Sequence, residues 1–127
     1  MLGVHEVLKD LSNRFPLALV TFRHLQKSLI KEQLIRLRLN AFFKVIITTL
    51  DVKKPNPDSF LEGAKKLGVP IGDCVIIGDS ILDIRAGKAS GAKTIAVLSG
   101  LFDEKALKKE NPDMIIRAIP EISSILL

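Results

Sequence analysis

The spacing of short apolar runs restricts the fold of this chain more than any other feature of its sequence. Five runs rich in Ile, Val and Leu are separated by segments in which apolar residues recur every three or four positions. Strands alternating with helices predict a parallel sheet covered by helices on both faces. The runs are apolar throughout rather than alternating, as expected for strands buried on both sides. The strands are predicted at residues 17–21, 44–49, 74–77, 94–98 and 114–116.

The intervening segments predict helices that complete a three-layer α/β/α, Rossmann-like domain with a mainly parallel sheet of about five strands. The apolar stripe of one helix consists of Leu25, Leu29, Ile30, Leu34 and Leu37. The predicted inner face of the next consists of Phe60, Leu61, Ala64 and Leu67. Gly68 and Pro70 end that helix in the usual order of helix-stopping residues. Without linkers or repeats, residues 1–127 are expected to form a single domain. The helices are predicted near residues 4–13, 25–39, 58–67, 80–90 and 103–110, and from residue 120 onward.

Composition favours a globular protein of a reducing compartment. The chain has 127 residues, of which 47% are hydrophobic and 26% charged, so it does not resemble a disordered chain. Its one cysteine, Cys74, excludes an internal disulfide and is interpreted as a small buried apolar residue. No signal peptide and no apolar run of membrane-spanning length is recognised, so a cytoplasmic location is expected.

The net charge of +5 is compatible with an anionic partner. The basic residues are spread along the chain, however, and those between Arg23 and Arg38 alternate with Leu and Ile as on a solvated helix face. The chain also lacks Trp and Tyr for base stacking. We therefore expect phosphate or a small phosphorylated molecule as the partner, and neither nucleic acid nor membrane.

Two carboxylates at the end of the third predicted strand form the most specific chemical pattern. Asp79 follows Gly78 at the strand end, and Asp83 lies about one helical turn further on. Parallel sheets bind ligands beyond the carboxyl ends of their strands, and Mg²⁺ favours one or two carboxylates together with water and phosphate. Ser80, at the start of the following helix, is a predicted phosphate-binding residue, since helix N-termini offer free amides. The alternative, that both carboxylates only cap the helix, remains open.

Two further residues follow other predicted strands. Thr21 ends the first strand, where its hydroxyl could bind phosphate. Lys54 precedes Pro55 and Pro57, which stiffen the loop after the second strand by fixing backbone φ. A rigid loop suits a lysine that must hold its charge against a phosphate, although an ordinary solvated loop lysine is equally compatible with this pattern.

Taken in order, these segments resemble motifs two, three and four of the haloacid dehalogenase superfamily, most closely its phosphoglycolate-phosphatase-like branch. The matching segments are Leu-Ala-Leu-Val-Thr ending at Thr21, Lys-Pro-Asn-Pro-Asp starting at Lys54, and Gly-Asp-Ser-Ile-Leu-Asp ending at Asp83 with its trailing Ala-Gly and Ser-Gly. The resemblance covers residues 4–126. It implies a hydrolase in which Thr21 and Lys54 bind the transferring phosphoryl group as catalytic residues and Asp79 and Asp83 hold Mg²⁺.

The first motif of that family, Asp-x-Asp, does not occur in this sequence. In the family its two aspartates are the nucleophile and the general acid/base, and its strand is central in the sheet. Asp10 and Asp51 are poor substitutes, because neither is placed at the end of a suitable strand. The cap domain is also absent, so we interpret the chain as beginning just downstream of it. We predict that the strands ending at Thr21 and Asp79 pair directly or that the chain forms a homodimer; a strand donated by another chain is the third possibility.

Two function classes follow. The leading hypothesis is a phosphatase-like hydrolase domain that retains phosphate- and Mg²⁺-binding motifs and is inactive alone, or is completed by another chain that carries the nucleophile strand. The alternative is a non-catalytic binding or interaction domain of the same fold. A phosphoacceptor receiver domain is set aside, because there the acidic pair would precede the Thr and Lys.

Overall fold

The computed structural model describes residues 3–52, 57–98 and 101–126, and within them strands and helices alternate as predicted. The strands are β1 (Ala18–Val20), β2 (Val45–Ile47), β3 (Val75–Gly78), β4 (Lys93–Val97) and β5 (Met114–Ile116). The α-helices are α1 (Val4–Arg14), α2 (Lys27–Arg36), α3 (Pro57–Leu67), α4 (Ile81–Ser90), α5 (Glu104–Lys108) and α6 (Ile122–Leu126). Short 3-10 turns cover Asn40–Phe42, Thr49–Asp51, Ile71–Asp73 and Ile119–Glu121. None of the described helices is long and apolar enough to span a membrane.

Every strand pairing in the described chain is parallel, which confirms the predicted α/β class. The five strands lie in two sheets, one of order β1-β2 and one of order β3-β4-β5. The registers align Val20 with Ile47 in the first sheet and Gly78 with Ala96 in the second. The carboxyl ends of neighbouring strands therefore lie side by side within each sheet.

Of the two predicted arrangements, direct pairing of the strands ending at Thr21 and Asp79 is wrong, and the homodimer stays a prediction. Within the described residues β1 pairs only with β2, and β3 pairs only with β4. The prediction considered only the cost of unpaired backbone groups. All of β1 is half-buried and Val75 of β3 is 39% exposed, so neither strand is as buried as β4. Side-chain packing holds the sheets together, since Val20 of β1 packs against the cluster that contains Ile76 of β3.

Helices cover the two sheets on both faces and so form the outer layers of the domain. On one face α1 and α6 bury Val7, Leu11 and Ile122 against Ile95 and Val97 of β4. On the other face α3 and α4 contribute a second cluster of buried residues, and α4 and α5 a third. The second cluster consists of Phe60, Ile76, Ala86 and Ala92, and the third of Ile84, Ala96 and Leu107.

Three expectations about burial require adjustment. Leu29 and Leu37 of the predicted apolar stripe are 46% and 64% exposed, because α2 packs mainly against the neighbouring 3-10 turn at Asn40–Phe42. Leu61 of α3 is 40% exposed, whereas the adjacent Phe60 is buried. Cys74 is only half-buried, and its thiol donates to the Pro70 carbonyl at 3.4 Å.

Candidate functional site

The turn from β3 into α4 is built around Gly78. A Cβ atom placed on Gly78 would lie 2.4 Å from Cβ and 2.6 Å from Oδ2 of Asp83. Since real Cβ contacts are never that short, Asp83 can fold back over the end of β3 only where residue 78 is glycine. The glycine of the Gly-Asp pattern is therefore a steric requirement of this turn.

Ser80 and Asp83 form a reciprocal capping box at the start of α4. The Ser80 hydroxyl accepts from the Asp83 N–H at 3.1 Å, and Oδ2 of Asp83 accepts from the Ser80 N–H at 3.3 Å. The capping interpretation is thus correct for Asp83, but Asp79 takes no part in the capping box. The Ser80 hydroxyl acts as an acceptor in this box.

The two carboxylates of this turn are electrostatically coupled. Burial raises the pKa of the Asp83 carboxyl above its ordinary value, hydrogen bonds from Ser80 lower it, and the negative charge of Asp79 raises it again. The net shift in the pKa of Asp83 is upward mainly because its carboxyl group is partly removed from water, and the charge of Asp79 adds to it. A divalent cation at this turn would relieve that repulsion.

Thr21 directly follows the carboxyl end of β1, and another threonine, Thr48, directly follows β2. The Thr21 N–H donates to the Ile47 carbonyl at 2.9 Å and continues the ladder between the two strands. Its hydroxyl accepts from the Arg23 N–H at 3.2 Å, so the Thr21 O–H can still donate. Its neighbours Val20 and Phe22 both pack against the cluster that contains Ile76 of β3. The end of β1 is therefore held beside β3.

His24 was not identified from the sequence. Its Nδ1 lies 3.0 Å from Oγ1 of Thr49, and this contact joins the loop after β1 to the turn after β2. Thr49 Oγ1 also lies 3.4 Å from the Arg23 carbonyl. In the sequence, His24 is notable only for following Thr21 by three residues. That position gives no indication of a contact with Thr49, which is 25 residues away.

Asp51 has a structural role that explains why it is a poor nucleophile. Its Oδ2 accepts from the Thr48 N–H at 2.7 Å and caps the 3-10 turn, and its Oδ1 lies 2.9 Å from Nζ of Lys27. Partial burial raises the pKa of the Asp51 carboxyl, whereas the hydrogen bond from Thr48 and the charge of Lys27 lower it. Together the two lowering effects are larger than the effect of burial, so the pKa of Asp51 lies below its ordinary value. Both carboxylate oxygens are thus already engaged.

The structure brings together Asp79, Ser80 and Asp83 at one turn, whereas Thr21 follows a strand of the other sheet whose side chains pack against a cluster that includes Ile76 of β3. Lys54 and its flanking residues lie outside the described residues, so the predicted position of Lys54 stays a prediction. In the described part of the chain no three His, Cys, Asp or Glu side chains are grouped so as to hold a metal ion. The two carboxylates alone fit a Mg²⁺ site that takes its remaining ligands from water, phosphate or another polypeptide.

A basic groove elsewhere on the domain does not belong to this site. It opens at the amino end of β2, whereas Thr21 follows the carboxyl end of β1. Its basic side chains come from α2, α3 and the residue before β2, and are Lys27, Lys31, Lys44 and Lys66.

Comparison with known proteins identifies the class to which this fold and these motifs belong. Residues 1–97 match the family model of haloacid dehalogenase-like hydrolases. Since that match covers most of the chain, the chain belongs to this family. Over 98% of its length the chain is 32% identical to pyrophosphatase PpaX of Halalkalibacterium halodurans, and over 91% it is 36% identical to phosphoglycolate phosphatase of Neisseria meningitidis.

The solved structures agree. A hydrolase from Pseudomonas syringae superposes on 99% of this chain with a TM-score of 0.82 and 30% identity. The chain covers only 59% of that structure, and 58% and 50% of the two sequence relatives. It therefore spans about half the length of the curated relatives it matches. The superposition includes both sheets at once, so their relative placement is that of the solved hydrolase.

Proposed function

We propose that this chain is a phosphatase-like domain of the haloacid dehalogenase-like family that retains phosphate- and Mg²⁺-binding residues, and that it is inactive alone or is completed by a nucleophilic aspartate from outside the given sequence. The turn at Gly78 carries this proposal, since it holds Asp83 over the strand end with Asp79 close enough to raise its pKa. A cytoplasmic location, in keeping with the one free cysteine, is part of the proposal.

The roles of the chain's own residues follow from their donors and acceptors. Asp79 and Asp83 would hold Mg²⁺, and the Thr21 and Ser80 hydroxyls would donate to the oxygens of a phosphoryl group. Lys54 would supply a fixed positive charge against the same oxygens. Bound Mg²⁺ supplies charge neutralisation and orientation at the phosphoryl group. Preplaced donors and charges of this kind stabilise the charge that develops during phosphoryl transfer.

The chain alone should bind these ligands without turning over a phosphate ester. Covalent phosphoryl transfer requires a nucleophile, and Asp51 is engaged on both oxygens. The substrate of the complete protein is not specified by these residues. The names of the relatives suggest small phosphorylated molecules, namely pyrophosphate or phosphoglycolate.

The test measures Mg²⁺ binding by isothermal titration calorimetry and hydrolysis of p-nitrophenyl phosphate in the presence of Mg²⁺. We expect Mg²⁺ binding that is weakened by Asp79→Asn, and turnover indistinguishable from that of buffer. Asp10→Asn, an exposed substitution on α1, is the matched control and should leave Mg²⁺ binding unchanged. Turnover that disappears in Asp51→Ala would contradict the role assigned to Asp51.

The alternative is a non-catalytic binding domain that has kept the fold. Two observations favour it: Asp83 is already used as a helix cap, and the described residues include no group of three or more metal ligands. Such a domain can keep Mg²⁺ or phosphate binding, and it predicts that p-nitrophenyl phosphate is not hydrolysed even when a segment carrying the Asp-x-Asp motif is added.

A further inference from the structure

Lysines from three separate segments of the chain meet in the basic groove between α2 and α3. Lys27 and Lys31 lie one turn apart on the same face of α2. Lys66 comes from α3, and Lys44 directly precedes β2. The sequence suggested only a solvated helix face for the basic residues of α2. Their meeting with lysines of two other segments is a tertiary feature that a solvated helix face does not require.

The protein itself compensates little of the charge in the basic groove. None of its nine lining residues is Asp or Glu. Lys27 pairs with the neighbouring Asp51 at 2.9 Å, and the charge of Lys66 also acts on that carboxylate. Among the described residues no ion pair engages Lys31, Lys44 or Lys66, and the other positions of the chain contain no Asp or Glu. Four lysines against one carboxylate leave about three positive charges uncompensated.

The rest of the groove lining is mainly apolar. Ile35 lies on the same face of α2 as the two lysines and is 58% exposed. Phe43, Val45 and Ile46 also line the groove and are half-buried. Asn40 adds a side-chain amide that can both donate and accept hydrogen bonds. A ligand with an organic group beside its charges would cover these side chains, whereas an inorganic anion would leave them in water.

The size of the basic groove restricts the ligand to a small molecule. Its volume is about 440 Å³, within the range of about 300–1,000 Å³ that is typical of small-molecule sites. Lysine ammonium groups bind phosphate oxygens as compact point charges. About three uncompensated positive charges match a di- or triphosphate group better than a single phosphate.

We propose that the basic groove binds a small organic polyphosphate, with its phosphate groups on the lysines and its organic group against Ile35 and Phe43. Asp51 acts as an internal competitor, because its carboxylate holds Lys27 when the ligand is absent. None of the lining residues belongs to the turn from β3 into α4. This site is therefore separate from the candidate Mg²⁺ site and does not depend on the proposed function.

The experiment is a titration of the ¹⁵N-labelled chain with ATP in metal-free buffer, followed by NMR of the backbone amides. We expect shifts confined to the groove lining. The dissociation constant should rise at least about fivefold in the double variant Lys31→Gln/Lys44→Gln, since each exposed ion pair contributes modestly. The matched control is Lys105→Gln/Lys108→Gln on α5, which changes the net charge equally outside the groove and should leave the affinity unchanged.

Asp51→Asn separates binding in the basic groove from general attraction to a basic protein. Asn keeps an oxygen that can accept from the Thr48 N–H but removes the charge that holds Lys27. The affinity for ATP should therefore rise about two- to fivefold. Asp10→Asn makes the same charge change on α1, outside the groove, and should have no effect. Equal effects of the two substitutions would overturn the inference.

Inorganic triphosphate tests the organic part of the ligand. We expect it to bind about threefold more weakly than ATP, and Phe43→Leu to weaken the binding of ATP but not of inorganic triphosphate. Unchanged binding of inorganic triphosphate also shows that this variant is folded. Equal affinity for the two ligands, shifts centred on Thr21 and Ser80, or no binding at millimolar ATP would each refute the proposal. Because the buffer contains no Mg²⁺, none of these results depends on the proposed Mg²⁺ site.

Discussion

Replacing Gly78 by alanine tests the steric basis of the candidate site. The new Cβ would lie 2.4 Å from Cβ of Asp83, whereas carbon atoms pack best at about 3.5–4.0 Å. Relief requires the start of α4 to move, since the contact is to the Cβ atom and not to the end of a flexible side chain. Such overpacking costs about 1–3 kcal/mol, and loss of the capping box adds about 1 kcal/mol. We expect Gly78→Ala to lower the free energy of unfolding by about 2–4 kcal/mol, a large part of the usual total.

The measurement is urea unfolding followed by far-UV circular dichroism, because the chain has no Trp or Tyr for fluorescence. Gly63→Ala in α3 is the matched control, since its Cβ would lie 3.5 Å from the nearest atom, Cγ2 of Val20. That substitution should be neutral or stabilise by up to about 1 kcal/mol through helix propensity. A Gly78→Ala midpoint that coincides with the wild-type midpoint, at an unchanged urea dependence, would refute the steric reasoning.

A double-mutant cycle then identifies the clashing partner. In an Asp83→Gly background the side chain that Gly78 must avoid is gone, so Gly78→Ala should cost less than about 1 kcal/mol. If the cost is the same in both backgrounds, the constraint on Gly78 comes from something other than Asp83.

Three further substitutions test other parts of the structure. Gly87→Ala should lower the free energy of unfolding, measured in urea, by about 1–3 kcal/mol, because the new Cβ would lie 2.8 Å from Cγ2 of the fully buried Thr94. A variant more stable than the wild type would contradict this reasoning. Asp51→Asn should cost about 0.5–1 kcal/mol at neutral pH through loss of the Lys27 ion pair. Folding lowers the pKa of Asp51 from 3.8, so the difference in unfolding free energy between the two proteins should be constant above pH 3.8 and shrink as the pH falls below it. A difference that does not change with pH in this range would be inconsistent with the ion pair. Asp79→Asn should weaken Mg²⁺ binding at least about tenfold in calorimetry while changing thermal stability little, and the reverse pattern would indicate a purely structural role.

Local patterns in the sequence were sufficient for much of the fold. Each predicted strand appears within one or two residues of its expected position, and Met114–Ile116 matches it fully. The capping box at Ser80 and the glycine requirement at Gly78 also depend on neighbouring residues, so the sequence indicates them. The class of protein followed from the same short motifs.

Contacts between segments that are distant in the sequence could not be predicted from local patterns. The sequence does not encode the link between His24 and Thr49 as a local pattern, because the two residues meet only when the loops after β1 and β2 are folded. The exposure of Leu29 and Leu37 depends on how few elements α2 touches, which periodicity cannot report.

The sequence by itself determined the order of strands and helices, the Gly-Asp turn and the family, since these depend on residues near one another in the chain. Only the tertiary structure decided that, within the described residues, β1 and β3 do not pair with each other, because that depends on how Val20 and Ile76 pack with one shared cluster. Unpaired backbone groups alone would predict that β1 and β3 pair directly, whereas in the structure side chains of both strands pack with the helices that cover them. That packing involves residues more than fifty positions apart and has no local signature.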